Sequence, residues 1–182
     1  MTKARLLWID LEMTGLDLAE DRIAEVGVIA TDFDFHKIAT YQCPVKLDRD
    51  FMLARMTGDF WEKFNATRQS LITASTSDQA KSSQVVQDEL IEFVQQYFDT
   101  TEPIYIAGNS VHQDRKFIER EWPDFDKLFS YRLLDVSAWK IIFAEHGRKF
   151  TKPDSHRAMD DIEGSIEELK YYLKRVKFND GK

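Results

Sequence analysis

The chain is poor in cysteine and has no long apolar segment. Cys43 is the single cysteine among 182 residues, so no intramolecular disulfide can form. Such usage is typical of a reducing compartment. No apolar run approaches the length of a membrane span, and the first residues lack the apolar core of a signal peptide. We therefore expect a cytoplasmic protein that has no membrane partner.

Positive charge is also scarce. Lys and Arg number 25 against 32 Asp and Glu, which gives a net charge of −7. Proteins that bind long nucleic acids by the phosphate backbone usually carry a basic face. If the ligand is a nucleic acid, this deficit favours a short piece that a metal and a few side chains hold locally. The length and the 43% hydrophobic content predict one globular domain over residues 1–182.

Hydrophobic periodicity gives the order of the elements. Helical spacing predicts helices over 84–98, from about 111, from 137 to about 147, and over 157–176, while 51–72 is helical in pieces and 73–83 is a loop. Strand patterns occupy 5–12, 23–35, 38–45, 104–107 and 133–134. Early strands followed by alternating helices and strands predict an α/β fold with a mixed central sheet.

Two carboxylates interrupt the first predicted strand. Asp10 and Glu12 are one residue apart in an otherwise apolar run, so the period of a strand points both side chains out of one face. Adjacent anions in apolar surroundings repel each other and resist desolvation, and a divalent metal ion is the simplest neutralising partner. The alternative is a pair on a solvent-facing edge strand, which the apolar flanks disfavour.

Further acids and a histidine complete the residue types that metal-assisted phosphodiester hydrolysis needs. Asp114 lies in the first turns of a helix after a short strand, where the helix dipole alone would also favour an acid. His156 alone would more often be a loop or capping residue. Of Asp160 and Asp161, the second lies nearer the apolar stripe of the last helix. Carboxylates that hold two ions and a base that takes a proton from water match this set.

Five ordered blocks of sequence resemble one family. They resemble the oligoribonucleases, which are histidine-containing DEDD-type 3′→5′ exonucleases, and the match runs from about residue 5 to 175. A lone Asp-x-Glu would be weak evidence, whereas five blocks at this spacing are specific. The blocks occupy 8–16, 21–23, 108–115, 131–137 and 156–162.

The resemblance implies an RNase H-like, exonuclease-type fold with helices flanking a mixed central β-sheet. It implies an enzyme that is a homodimer, uses two Mg²⁺ or Mn²⁺ ions, and degrades very short single-stranded RNA from the 3′ end to nucleoside 5′-monophosphates. Carried over by position, Asp10, Glu12, Asp114 and Asp161 are the expected metal ligands, and His156 is the expected general base.

The same resemblance implies a set of substrate-binding residues. Two hydroxyls and an arginine would cap the 5′-phosphate, an aliphatic and an aromatic side chain would wedge and stack the bases, and a tyrosine would reach the neighbouring subunit's site. The residues are, in that order, Ser110, Ser137, Arg132, Leu16, Trp61 and Tyr131.

Simpler roles exist for several of these residues. Trp61 is also compatible with an ordinary core position, Arg132 with a surface ion pair, and Ser110 and Ser137 with helix caps. His112 matches no catalytic position, and we interpret it as structural or incidental.

The chain departs from the family pattern after Trp61. The stretch 62–70 lacks the histidine that the family shows near Ala66 and the glycine that follows Ser70, so a phosphate contact from this stretch is not carried over, although Arg68 is a substitute. Two rival functions stay open: an exonuclease of the same superfamily that acts on longer DNA or RNA, and a non-catalytic module that binds short nucleotides as a sensor.

Overall fold

A computed structural model describes residues 3–151 and 157–176. In this part of the chain five strands form one sheet in the order β3-β2-β1-β4-β5. The strands are β1 (Leu6–Met13), β2 (Ile23–Thr31), β3 (Lys37–Pro44), β4 (Tyr105–Gly108) and β5 (Leu133–Asp135). The helices are α1 (Arg49–Arg55), α2 (Asp59–Lys63), α3 (Asn65–Ser75), α4 (Ser83–Tyr97), α5 (His112–Glu121), α6 (Pro123–Asp126), α7 (Val136–Glu145) and α8 (Ala158–Leu173).

The sheet is mixed, as the sequence predicted. β1 is antiparallel to β2 and β2 is antiparallel to β3, whereas β4 runs parallel to both β1 and β5. β1 is therefore the central strand. The solvent-facing edge pair considered for Asp10 and Glu12 is not observed, because β1 lies inside the sheet and both residues are partly buried.

Helices cover both faces of the sheet, which explains why β2 is buried along its whole length. On one face Leu7 and Ile9 of β1 join a core that includes residues of α4 and α5. On the other face Leu6 and Trp8 pack with Ile162 and other residues of α8. Because side chains alternate along a strand, Asp10 and Glu12 continue the row of Leu6 and Trp8 and face α8.

The ends of β2 and α3 and the presence of α6 differ from the sequence prediction. β2 ends at Thr31 instead of residue 35, because the Asp32 carboxylate accepts hydrogen bonds from the backbone N–H groups of Asp34 and His36 and closes a turn. α3 continues through Ser75 into the predicted loop, and the Ser75 hydroxyl donates to the carbonyl of Ala24 at 3.1 Å. The short helix α6 was not predicted.

The N-terminus of α4 agrees with the prediction. Ser82 is its N-cap, and the Ser82 hydroxyl accepts a hydrogen bond from the backbone N–H of Val85. In the described ranges we find no helix whose length and apolar character would suffice to cross a membrane.

Candidate active site

Three acids from two elements meet at the end of the central strand. Carboxylate oxygens of Asp10, Glu12 and Asp161 all lie within 4.8 Å of one another. Asp10 and Glu12 come from the last half of β1, and Asp161 comes from the first turn of α8, where its N–H donates to the carbonyl of Arg157. The neighbouring Asp160 is exposed and lies outside this group. We call Asp10, Glu12 and Asp161 the acid cluster.

Asp114 is held next to the acid cluster by the backbone of β1. Its Oδ1 accepts a hydrogen bond from the N–H of Leu11 at 3.0 Å, and the side chain is buried. The reason lies in the sheet, because β4 pairs with β1 only as far as Trp8. The N–H of Leu11 beyond that point needs another acceptor, and the first turn of α5 supplies it.

Burial and repulsion by other carboxylates raise the pKa values of Glu12 and Asp114. Desolvation raises the pKa of Glu12 to about 8, and the charges of Asp161, Glu25 and Asp114 add to the rise, while Arg157 opposes it. Desolvation also raises the pKa of Asp114 to about 7, against the hydrogen bond from Leu11. Carboxylates that resist ionisation together are those that a bound cation would stabilise. Their hard oxygen donors fit Mg²⁺ or Mn²⁺.

A partly buried ion pair next to the acid cluster was not identified from the sequence. Glu25 of β2 lies opposite Glu12 in the antiparallel register and is 2% exposed. Arg157 donates from Nη2 to Glu25 at 3.1 Å and from Nη1 to the Ser70 hydroxyl at 2.7 Å. Gln42 donates to the other oxygen of Glu25 at 3.2 Å. The sequence signal that could have indicated this ion pair is Glu25 itself, an acid inside the apolar run of β2.

His156, the expected general base, lies outside the described residues. The residue that follows it in the sequence is Arg157, the N-cap of α8.

Ser110 and Ser137 come together beyond the ends of β4 and β5. Their hydroxyl oxygens are 3.0 Å apart, and the backbone N–H of Ser110 donates to the Ser137 hydroxyl at 2.9 Å. Asp135 organises the pair, because its Oδ1 accepts hydrogen bonds from the N–H groups of both serines. Ser110 has a φ of 51°, a left-handed conformation that is uncommon outside glycine and clusters at functional sites.

Neither serine is a helix cap, contrary to the simpler interpretation. The N-cap of α7 is Asp135, and that of α5 is Val111. Asp135 was not singled out from the sequence, although an Asp at the start of a predicted helix is a capping signal. His112 lies 3.5 Å from the second oxygen of Asp135 on the surface, consistent with a structural role.

Arg132 and Tyr131 lie on the surface before β5. The Arg132 guanidinium lies 4.5 Å from the centre of the Tyr131 ring, and Tyr131 is 75% exposed. No hydrogen bond within the described ranges joins the Arg132 side chain to Ser110 or Ser137. The structure therefore brings the two predicted hydroxyls together without bringing the arginine to them.

Trp61 and Leu16 differ in exposure. Leu16 is 71% exposed, whereas Trp61 is 7% exposed and packs with Met52 and Leu71. The indole N–H of Trp61 donates to the carbonyl of Thr14 at 3.2 Å. Trp61 thus belongs to a core cluster, as the simpler interpretation had it, and it also lines a cavity.

The cavity has a volume of about 380 Å³. Its other lining residues extend from Met56, directly after α1, to Arg68 in α3, and the Nε of Arg68 has no hydrogen-bond partner within the described ranges. This arginine therefore lies beside Trp61, in the stretch where the family pattern is altered.

Comparisons with known proteins identify the family. Residues 7–169 match a family model described as Exonuclease. The chain is 35% identical over 173 residues to an oligoribonuclease of Francisella tularensis, with 94% of this chain and 95% of the relative covered. It is 36% identical over 182 residues to an oligoribonuclease of Thiobacillus denitrificans, with 94% of each covered.

Solved structures show the same fold at low identity. A zinc-bound Escherichia coli exonuclease I–single-stranded DNA complex has a TM-score of 0.66 and is 16% identical, and exonuclease I from Methylocaldum szegediense has a TM-score of 0.64 and is 15% identical. The chain is covered to 96% and 94%, but it spans only 41% and 40% of those chains. The expected RNase H-like exonuclease fold is confirmed. The chain belongs to the exonuclease family of metal-dependent nucleases, and within that family to the oligoribonucleases.

Proposed function

We propose that this chain is a 3′→5′ exoribonuclease that degrades dinucleotides and other very short RNAs to nucleoside 5′-monophosphates by two-metal-ion hydrolysis. The observation that carries the proposal is the acid cluster at the end of the central strand β1. The Ser110–Ser137 hydroxyl pair follows the ends of the neighbouring strands β4 and β5. The membership in the oligoribonucleases supports RNA as the substrate.

The residues present fit divalent cations. Three carboxylates within 4.8 Å supply oxygen donors, and a bound cation would offset the desolvation and carboxylate repulsion that raise the pKa of Glu12. Asp10, Glu12 and Asp161 would hold the ions directly. Asp114, whose Oδ1 accepts the hydrogen bond from the N–H of Leu11, would be a further ligand. When bound, two such ions would lower the pKa of the attacking water and offset the charge of the leaving 3′-oxygen.

Side chains of the protein would transfer the proton, bind the terminal phosphate and contact the bases. His156 would accept the proton of the attacking water, a contribution that is typically about 10²–10⁴-fold. The hydroxyls of Ser110 and Ser137 would donate to a terminal phosphate. Leu16 and Trp61 would contact bases without sequence preference, because every base has a stacking face.

The preference for short RNA follows from the phosphate contacts. Ser110 and Ser137 are already fixed by Asp135, so a terminal phosphate would meet preorganised donors. An internal phosphodiester lacks the extra charge of a terminal phosphate. The net charge of −7 also disfavours holding a long backbone. In this structure the Arg132 guanidinium lies over the Tyr131 ring. To complete the contacts with the terminal phosphate, the Arg132 side chain would move away from that ring.

We further propose that the active form is a cytoplasmic homodimer built from one catalytic domain per chain. The observation in favour of the dimer is the exposure of large apolar side chains in the segment 131–142, where Tyr131, Ile141 and Ile142 are 75%, 68% and 58% exposed. Patches of this kind often mark protein–protein interfaces.

The test is a time course on 5′-phosphorylated RNAs of two, three, five, seven and twenty nucleotides, with Mn²⁺ or Mg²⁺. The Asp10→Ala variant, purified in parallel, controls for contaminating nucleases. We expect rapid loss of the dinucleotide, much slower loss of the longest RNA, and no cleavage by the variant.

Two results would contradict the proposal in different ways. Equal or faster trimming of the longest RNA would favour the rival exonuclease that acts on long substrates, and a parallel DNA series would show whether it is a deoxyribonuclease. Tight binding of the dinucleotide without turnover in either metal would favour the sensor.

A further inference from the structure

A buried aspartate outside the acid cluster organises the loop that follows β1. Asp21 is 2% exposed, and both of its carboxylate oxygens accept hydrogen bonds. Oδ1 accepts from the Thr14 hydroxyl and from Nε of Arg55, each at 2.9 Å, and Oδ2 accepts from the N–H of Asp17 at 2.9 Å. None of these contacts involves a metal ligand, so the chemistry proposed above leaves them unexplained.

The loop 14–21 folds around this carboxylate. Its ends are joined because the N–H of Thr14 donates to the carbonyl of Arg22 at 3.0 Å and the N–H of Arg22 donates to the Thr14 hydroxyl at 3.1 Å. A Cβ atom on Gly15 would lie 2.4 Å from Oδ2 of Asp21, so the chain passes closer to the carboxylate than a side chain would allow. Leu16, the more exposed of the two leucines in this loop, is thus presented on a closely tethered backbone.

The same residues connect the loop to the cavity. The carbonyl of Thr14 accepts the indole N–H of Trp61, and Arg55 is the last residue of α1, directly before Met56 in the cavity wall. Asp21 therefore joins two structures that carry proposed base-binding groups, namely the Leu16 loop and the wall that includes Trp61. Hydrogen bonds connect them through Thr14 on one side and Arg55 on the other.

We infer that Asp21 is a positioning residue for substrate binding, which fixes Leu16 relative to the Trp61 cavity so that the two hold one spacing for a nucleobase. The inference rests on the proposed function of the site. Positioning by hydrogen bonds lowers the cost of ordering the loop when substrate binds. Because Asp21 does not contact the acid cluster, its loss is expected to affect KM and to leave kcat nearly unchanged.

The experiment is a double-mutant cycle on hydrolysis of a diribonucleotide. The variants are Asp21→Asn, Leu16→Ala and the double variant, and Arg55→Gln removes a donor to the same carboxylate from a partly exposed side. Asp48→Asn is the matched control, because Asp48 also accepts a backbone hydrogen bond near α1, from Phe51, but lies outside the loop. Affinity for a dinucleotide with a non-hydrolysable linkage provides a readout that needs no turnover, and thermal unfolding reports stability.

If Asp21 acts through Leu16, each single variant raises KM about tenfold, which corresponds to about 1.4 kcal/mol of binding, and the double variant is no worse than Leu16→Ala. We expect Arg55→Gln to shift KM in the same direction, with kcat within about threefold of the unmodified protein in every variant. Asp48→Asn should leave KM unchanged and change the unfolding temperature little, because asparagine caps a helix about as well as aspartate.

Multiplication of the two single effects in the double variant would overturn the inference, because Asp21 would then act independently of Leu16. A fall in kcat with unchanged KM, or an unchanged KM in Leu16→Ala, would overturn it as well. These results are distinct from failure of the proposed function, which would appear as absence of hydrolysis by the unmodified protein. In that case the double-mutant cycle would still be measured, with the affinity of each variant for the non-hydrolysable dinucleotide in place of KM.

Discussion

The acid cluster makes the metal-free protein less stable at neutral and higher pH, and Glu12→Gln should remove much of this cost. The carboxyl of Glu12 keeps its proton in the folded state up to a pKa of about 8, against an ordinary value of 4.5. Between these values the folded state binds more protons than the unfolded state, so stability falls as the pH rises. The stabilising contribution is fully present below pH 4.5 and is lost as the pH rises through 8.

The magnitude follows from the two pKa values. Each pH unit between them lowers the free energy of unfolding by about 1.4 kcal/mol, which gives about 3 kcal/mol at pH 7 and about 4 kcal/mol at pH 8, where the folded-state carboxyl is half ionised. A glutamine has nearly the same shape and does not ionise. We therefore expect Glu12→Gln to be inactive and yet more stable than the unmodified protein at pH 8 in EDTA.

The assay is urea unfolding at pH 5, 7 and 8 in EDTA, with Glu92→Gln on the exposed face of α4 as the matched control. Asp114 titrates in both proteins, so the difference between the two curves reports the titration of Glu12 together with its repulsion of Asp114. Adding Mn²⁺ should restore the stability of the unmodified protein at pH 8, by about 2.7 kcal/mol at one hundred times the dissociation constant, and should affect the variant less. An identical pH dependence in the two proteins would refute the electrostatic argument.

Three further predictions concern residues around the site. Asp161→Asn should lower kcat at least about 100-fold, whereas the adjacent exposed Asp160→Asn should change it less than about threefold; equal effects would contradict the assignment of Asp161 as a ligand. Arg157→Met should lower the free energy of unfolding by about 2 kcal/mol, because it leaves Glu25 buried without its cation, and adding Glu25→Gln should recover part of this loss in urea unfolding. Ser137→Ala should raise KM about tenfold for a 5′-phosphorylated dinucleotide but not for an unphosphorylated one, as comparative kinetics would show.

Local periodicity was sufficient to place three acids. The period of two in β1 predicted that Asp10 and Glu12 share a face, and the period of α8 favoured Asp161 over Asp160. Both inferences use only residues within one element. They agree with the structure because the apolar neighbours, Leu6 and Trp8 in the strand and Ile162 in the helix, fix which face is buried.

Contacts between distant segments were beyond such reasoning. The position of Asp114 depends on β4 ending its pairing with β1 at Trp8, which leaves the N–H of Leu11 to an acceptor 103 residues away. The pairing of Glu25 with Arg157 spans 132 residues. An acid inside an apolar strand, such as Glu25 in β2, needs a cationic partner. The sequence contains 25 Lys and Arg residues, and no local rule selects among them.

The two interpretations of Trp61 as core and as ligand-binding residue are not alternatives in this fold. A base-stacking ring is effective only when its orientation is fixed, and the contacts with Met52 and Leu71 and the hydrogen bond to Thr14 fix it. The small exposed remainder of the ring then lines the cavity beside Arg68. Low exposure of an aromatic residue therefore does not argue against binding. The informative observation is whether its exposed edge opens into a cavity, and that depends on where α1, α2 and α3 pack, which the sequence of 51–72 did not predict in detail.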